Sequence, residues 1–268
     1  MSQATIIIPA RWGSSRFEGK PLTALLTGKD GRARPLIWWT YQAARRAAPN
    51  DKIWIATDDA RIAEAAEGFG AQAVMTSSDC RNGTERVCEA AESLNLSQGE
   101  IIVNLQGDAP LTPPTFITAL INAMAETPDM GVATPALRCD GTALARFRDQ
   151  RARGLVGGTT LVKTTSGQAL YFSKEVLPFA DDIDAAAPRL PVFHHVGLYA
   201  YRRPALAAYV ALPPGTLEAI EGLEQLRFLE NDLPVLCVEV EAGGRMFWEV
   251  NNREDIDLVS RDLINNGL

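Results

Sequence analysis

The chain has 268 residues, of which 46% are hydrophobic and 22% charged, with a formal net charge of −7. That length can bury a sizeable core. The acidic balance, with no Lys/Arg run longer than two, argues against a nucleic-acid surface, and no apolar stretch approaches the ~20 residues of a membrane span.

In chain order, the first half alternates strand-like and helix-like segments. Residues 5–9 (TIIIP) read as a buried strand and 36–47 (LIWWTYQAARRA) as an amphipathic helix. Then follow a strand over 52–58, a helix over 59–70 ending on Gly68 and Gly70, and a strand over 71–76. A helix over 83–94, a strand over 100–108 and a helix over 113–126 with prolines in its first turn complete this half. The rhythm predicts an α/β fold with a mostly parallel sheet covered on both faces. Ligands sit at strand carboxyl ends in such sheets, so the loops after Ile8, Ala56, Met75 and Leu105 are expected around one crevice.

The second half breaks the rhythm. Residues 131–138 read as a strand, 139–158 as a charged, glycine-rich stretch, and 159–163 and 169–173 as strands joined by a Ser-Gly turn. A long acidic loop over 174–192 precedes a strand over 195–203, a helix over 221–231, a strand over 235–241 and a closing helix that Asn252 is placed to cap. With no repeat and no linker, the expectation is a single domain over 1–268 with an inserted arm within 139–192. The N-terminus "MSQATIII" has no positive segment and no small-residue cleavage site, so no secretion signal is expected, and the four cysteines (Cys80, Cys88, Cys139, Cys237) are scattered without a Cys-x-x-Cys. Reduced thiols in a cytoplasmic protein are expected. His194 and His195 are adjacent, so a strand sends them to opposite faces and they do not make a zinc pair.

The loop within "IIIPARWGSSRFEGKPL" (6–22) carries the first chemistry. It fits neither a Walker loop, since Pro21 follows Lys20 and no hydroxyl stands there for magnesium, nor a G-x-G-x-x-G fingerprint. Pro21 also disfavours helical geometry at Lys20, so no helix is expected to start at the lysine. Arg11, Arg16 and Lys20, with Ser14 and Ser15, instead suit a polyphosphate held by charge-assisted hydrogen bonds. A solvated surface loop is the plainer alternative. Asp108, after Gly107 at a strand end, suits magnesium, although Gly-Asp is also common at simple turns.

Pro9-Ala10-Arg11, Ser14-Ser15-Arg16 and Gly19-Lys20-Pro21-Leu22 resemble the opening signature of the sugar-acid cytidylyltransferases, within them the CMP-Kdo synthetase (3-deoxy-manno-octulosonate cytidylyltransferase) group. "ATDD" (56–59), "NGTER" (82–86), "NLQGDAPL" (104–111), "ALYFSK" (169–174), "HHVGLYAYR" (194–202) and "LEQLRFLE" (223–230) agree in order and spacing over nearly the whole chain. The resemblance implies a three-layer Rossmann-like nucleotide-diphospho-sugar-transferase fold, a mostly parallel mixed sheet with an inserted β arm, and a homodimer built through that arm. It implies magnesium-dependent coupling of CTP to the anomeric hydroxyl of a 2-keto sugar acid such as Kdo, for lipopolysaccharide biosynthesis. Arg11, Lys20 and Asp108 would be catalytic. Ala10, Arg11, Ser14, Ser15, Arg16 and Lys20, with Asn82, Gly83 and Thr84, would hold the nucleotide, although Thr84 could equally be a simple helix cap. Gln106, Lys174, His195, Tyr199, Glu224 and Gln225 would line the sugar-acid pocket, and His194 would be structural.

The sequence departs from that pattern at four places. Asn251 stands where the resemblance implies a second metal-ligating aspartate, so Asp108 and Asn251 make the expected metal pair. Glu18 replaces a proline, Lys174 an arginine, and Thr160 a lysine. Several departures fall on the acceptor or metal side, which leaves the acid open: Kdo, an 8-amino-Kdo, or a sialic-type or other acid. Asn251 also motivates a non-catalytic nucleotide-binding protein as the alternative from another class. A pyridine-nucleotide oxidoreductase lacks its glycine fingerprint here.

Overall fold

A computed structural model describes residues 4–13, 18–25, 31–49, 52–156, 158–179, 189–243, 247–250, 253 and 255–265. Ser14, Ser15, Arg16, Asn251 and the helix-capping Asn252 lie outside the described residues. Strand β1 (Ala4–Ala10) leads through a 3₁₀ turn (Lys20–Leu22) and the short pair β2 (Ala24–Leu25) and β3 (Arg34–Pro35) into α1 (Leu36–Arg45). Then come β4 (Ile53–Thr57), α2 (Ala60–Gly68), β5 (Gln72–Met75), α3 (Gly83–Ser93), β6 (Ile101–Leu105), α4 (Pro114–Glu126) and β7 (Val132–Arg138). The second half holds α5 (Gly141–Ala152), β8 (Thr159–Lys163), β9 (Ala169–Ser173), β10 (Phe193–His195), β11 (Leu198–Tyr201) and α6 (Arg203–Ala211). It ends with α7 (Thr216–Glu221), α8 (Leu226–Leu229), β12 (Val235–Val240) and α9 (Asp255–Asn265).

Alternation along β1 explains the three layers. Ile6 and Ile8 face a core with Ile37 and Tyr41 of α1, Ile62 of α2 and Phe116 and Leu120 of α4. Ile7 faces the other way, among Val87 and Ala91 of α3, Leu206 and Tyr209 of α6 and Phe228 of α8. The ten-stranded sheet runs β5-β4-β1-β6-β11-β7-β10-β8-β9, with β12 also paired to β7. Strands β5, β4, β1, β6, β7, β12 and β8 point one way, and β11, β10 and β9 the other. The mostly parallel mixed sheet expected from sequence is therefore present. The β8–β9 hairpin extends the main sheet through β10 and reaches β12 by a bridge from Gln168 to Leu236.

Four local readings are corrected. Residues 139–158 contain α5, capped by Asp140, whose carboxylate accepts from Ala143 N at 2.7 Å. Only Leu144 and Phe147 of this helix are buried, so a stripe of two residues in a charged segment hid its periodicity. The strand expected over 195–203 is two strands broken at Val196–Gly197: β11 fits between β6 and β7, while β10 pairs β7 with β8. The helix expected over 221–231 is interrupted by Gly222 at φ 62°, which ends α7, and α8 follows; α6 was not foreseen. Finally, a single 3₁₀ turn does start at Lys20, because Gly19 at φ 70° sets the chain up for it and Pro21 lacks only an N–H that the first turn leaves unbonded.

His194 and His195 point to opposite faces, as the strand alternation required: His194 packs edge-on against Phe147 and Phe247, His195 against Phe172. Burial holds His194 down to about 4 and His195 down to about 3, against ~6.5 for a free histidine. A depressed folded pKa means that the stabilisation is complete above ~6.5 and is lost as the pH falls toward the folded values. The unfolding free energy should therefore drop between about pH 7 and pH 5, by of order 1–2 kcal/mol per histidine. In denaturant titrations across that range, His194→Phe should flatten part of the slope; an unchanged slope would show that His194 is not held neutral.

Candidate active site

The crevice lies at the carboxyl ends of β1, β5 and β6, as expected, whereas the loop after Ala56, also expected there, contributes no lining residue. Its walls come from Ala10 and Arg11 after β1, Arg81, Asn82 and Gly83 after β5, and Gln106, Gly107 and Asp108 after β6, with Lys20 and Pro21 from the 3₁₀ turn and Glu224 from the α7–α8 connection. Arg86 and Leu36 contribute from the first turns of α3 and α1.

A close polar contact joins Lys20 to Asp108. Lys20 Nζ lies 2.6 Å from Asp108 Oδ2 and donates to the carbonyl of Val250 at 3.0 Å. Val250 N–H donates to the Asp108 carbonyl at 2.9 Å. Three chain segments thus meet on the crevice floor, and the residues expected to hold phosphate and metal are ion-paired with each other. Gly107 permits the approach, since a methyl group there would lie 2.7 Å from the Pro9 carbonyl oxygen.

The turn into α3 forms the opposite wall. The cap is Asn82, whose side chain accepts from Glu85 N at 2.9 Å. This corrects the reading of Thr84 as the cap: Thr84 instead donates from Oγ1 to Glu224 Oε2 at 2.8 Å. Burial pushes the Glu224 carboxyl up, and its bonds to Thr84 oppose the shift. Gln106 donates to Asn104 Oδ1 at 3.2 Å and packs against Gly83, where a methyl group would sit 3.1 Å from its amide. Behind this wall Tyr199 donates to Gln225 at 3.0 Å, and burial pushes the Tyr199 phenol up. Buried Arg227 grips Glu218 through Nε at 2.7 Å and Nη2 at 2.6 Å, tying α7 to α8.

The structure therefore brings Ala10, Arg11, Lys20, Asn82, Gly83, Gln106, Asp108 and Glu224 to one crevice. Thr84, Tyr199 and Gln225 form a layer behind it rather than its surface. His195 is buried, with Nε2 3.1 Å from Thr134 Oγ1. Lys174 lies beside the α7 terminus, its N–H donating to Glu221 at 3.0 Å and its ammonium next to Gly222.

Sequence reasoning missed two residues here. Arg86 is 2% exposed, donates to Asp58 Oδ2 at 3.0 Å and Thr76 Oγ1 at 2.5 Å, and still edges the crevice. Its signal was available: an arginine in the first turn of a helix facing a strand end that carries Asp58. The other is Glu249, a half-buried carboxyl that nothing in the sequence flagged. Burial first, then the negative charge of Asp108, push it up to about 7, while Lys20 and the Gly197 N–H pull it down.

A doubly covered α/β sheet with a cationic crevice at its strand ends defines a protein that binds anionic ligands through loops. The chain belongs to the cytidylyltransferase family, whose model matches residues 5–239. It is 43% identical over 249 residues to the 3-deoxy-manno-octulosonate cytidylyltransferase of Maricaulis maris, covering 93% of this chain and 92% of that protein. It is 41% identical over 253 residues to the 8-amino-3,8-dideoxy-manno-octulosonate cytidylyltransferase of Shewanella piezotolerans, covering 94% and 95%. Among solved structures it resembles CMP:2-keto-3-deoxy-manno-octonic acid synthetase complexed with CTP, with a TM-score of 0.80 at 32% identity over 97% of this chain and 98% of the other. The group resemblance read from the motifs and the fold it implied are both borne out.

Gly107→Ala tests the geometry of the floor. Against a backbone oxygen that has no rotamer to yield, the added methyl should cost about 1–3 kcal/mol of stability, read from denaturant midpoints. An unaltered midpoint would mean that the floor tolerates displacement.

Proposed function

We propose that this chain transfers the cytidylyl group of CTP to the anomeric hydroxyl of 3-deoxy-manno-octulosonate, giving the CMP-activated acid and pyrophosphate for lipopolysaccharide biosynthesis. The observation that carries the reading is the meeting of Lys20 and Asp108, 88 residues apart, at 2.6 Å on the crevice floor beside Arg11 and the 81–83 turn. The relatives named for this chemistry support it. The anomeric oxygen attacks the α-phosphorus, the bond from that phosphorus to the bridging oxygen breaks, pyrophosphate leaves, and the hydroxyl gives up its proton. Arg11 and Lys20 stabilise the charge that accumulates on the leaving pyrophosphate. Ser14, Ser15 and Arg16 complete the phosphate cradle, Asn82 and Gly83 face the nucleoside, and Gln106 and Glu224 face the acid's hydroxyls, with Lys174, His195, Tyr199 and Gln225 supporting that side.

Magnesium is part of the proposal. The donor chemistry fits a hard cation: Asp108 Oδ2 and the Val250 carbonyl converge on one point, held here by the Lys20 ammonium. Asp108 would hold the ion, with Asn251 as a neutral partner. When bound, it would lower the pKa of the attacking hydroxyl.

An 8-amino acid is the second reading for the acceptor, motivated by relatives of that name at 41% identity. The test is a pyrophosphate-release assay crossing four nucleotides with both octulosonates and a sialic-type acid. Release with CTP and an octulosonate is expected. CTP binding without release would favour the non-catalytic alternative.

We also propose one cytoplasmic catalytic unit that pairs into a homodimer through 159–192. Leu170 and Phe179 support this, being 59% and 85% exposed. No helix among the described residues is long and apolar enough to cross a membrane. A monomeric mass by light scattering at micromolar concentration would overturn the dimer. Lys20→Ala should lower kcat/KM for CTP by about two orders of magnitude or more, and retention of most of that value would remove Lys20 from the triphosphate site.

A further inference from the structure

Glu18 brings an anion to the loop of the phosphate cradle, and the proposed chemistry gives it no role. Its contact shows where that carboxylate is used. Trp12 Nε1 donates to Glu18 Oε1 at 3.0 Å, across the two ends of the loop. The Trp12 carbonyl accepts from the Gly19 N–H at 3.1 Å. The indole also packs against Gly19, where a methyl group would sit 3.0 Å from Trp12 Cη2. Trp12 directly follows Arg11, and Gly19 directly precedes Lys20. Both crevice cations are therefore chain neighbours of this one small cluster.

The cluster is fastened to the start of α2. The Arg61 guanidinium carbon lies 3.4 Å from the centre of the Trp12 ring, a cation–π contact. Asp59 holds Arg61 in turn, accepting from Nε at 2.9 Å and from Nη2 at 2.6 Å. Asp59 is also the cap of α2, where it accepts from the Arg61 N–H at 2.9 Å. A capped helix start, a bidentate ion pair and an aromatic ring thus run in series to the loop. Trp12, Glu18 and Arg61 do not line the crevice, and the Arg61 side chain is 56% exposed.

We propose that Arg61 and Trp12, with Glu18, are positioning residues: a clasp that fixes both ends of the phosphate loop, so that Arg11 and Lys20 are aimed before the triphosphate arrives. The inference rests on the reading of the crevice as the CTP site. A loop already held in its binding form has less ordering to undergo when the ligand binds. A loop that adopts that form only part of the time binds with an affinity reduced by the same fraction.

The clasp predicts coupling between Arg61 and Trp12. Arg61→Ala should weaken CTP binding by about two- to fivefold in calorimetry, the size of one exposed cation–π contact. Trp12→Leu should weaken it at least as much. In the Trp12→Leu background, Arg61→Ala should have almost no further effect, because the ring through which it acts is gone. Arg61→Lys should recover part of the loss, since a cation again covers the ring. If Arg61 acts by its charge alone, its removal weakens CTP equally with and without the ring, and that additive result overturns the proposal. Amide hydrogen exchange in the ligand-free protein tests the clasp with no nucleotide present. The Gly19 N–H should exchange about two- to fivefold faster in Arg61→Ala than in wild type. Unchanged exchange at Gly19 overturns the clasp. If the exchange effect is found and the wild-type protein does not bind CTP, the functional reading fails instead, so the two failures are distinguishable.

Discussion

The contact between Lys20 and Asp108 is the constraint around which the crevice is organised. A lysine on an N-terminal turn, an aspartate after the fourth core strand and the Val250 backbone near the C-terminus are closed onto one point. Partly buried charges are costly unless paired, so the ammonium and the carboxylate each supply what the other lacks until ligands take their place. Everything upstream serves that approach. Gly19 adopts a left-handed backbone that turns the lysine inward, Pro21 is buried beneath the turn, and Gly107 lets β6 run against the Pro9 carbonyl.

The wall opposite the floor is built differently, from polar groups that satisfy one another inside the protein. Glu224 is held by Thr84, Gln106 by Asn104, and Tyr199 by Gln225. The Arg227–Glu218 pair fixes the chain on which Glu224 and Gln225 ride. Such a network is worth having only when its members are satisfied. The Nε2 of Gln225 and the Nδ2 of Asn104 are both buried without a partner, which marks two places in this layer where a donor is left over. The two sides thus differ in chemistry: cations and a carboxylate on the floor, neutral hydrogen-bonding groups and Glu224 on the opposite wall.

The β10–β11 break links the two sides. A single straight strand would place residues 193–201 in one register. The break at Gly197 instead lets β11 pair with β6, while β10 carries the β8–β9 hairpin outward. It also opens the space that Glu249 fills.

Local pattern sufficed for much of this. The apolar runs of β1, β4 and β6, the amphipathic spacing of α1 to α4 and the loop chemistry of Arg11, Lys20 and Asp108 were legible because each is encoded within a few consecutive residues. The order of the short motifs carried the family. Segments whose form depends on distant partners were not legible. Helix α5 buries only two side chains, β10 and β11 part because β8 and β6 claim different halves, and Thr84 forgoes capping because Glu224 comes to it from 140 residues away. The same reason hid Glu249, whose neighbour Gly197 is far from it in sequence. Residue type and spacing by themselves determined which groups could do the chemistry. Which of them meet was decided by the fold, because electrostatic and packing energies depend on distance through space.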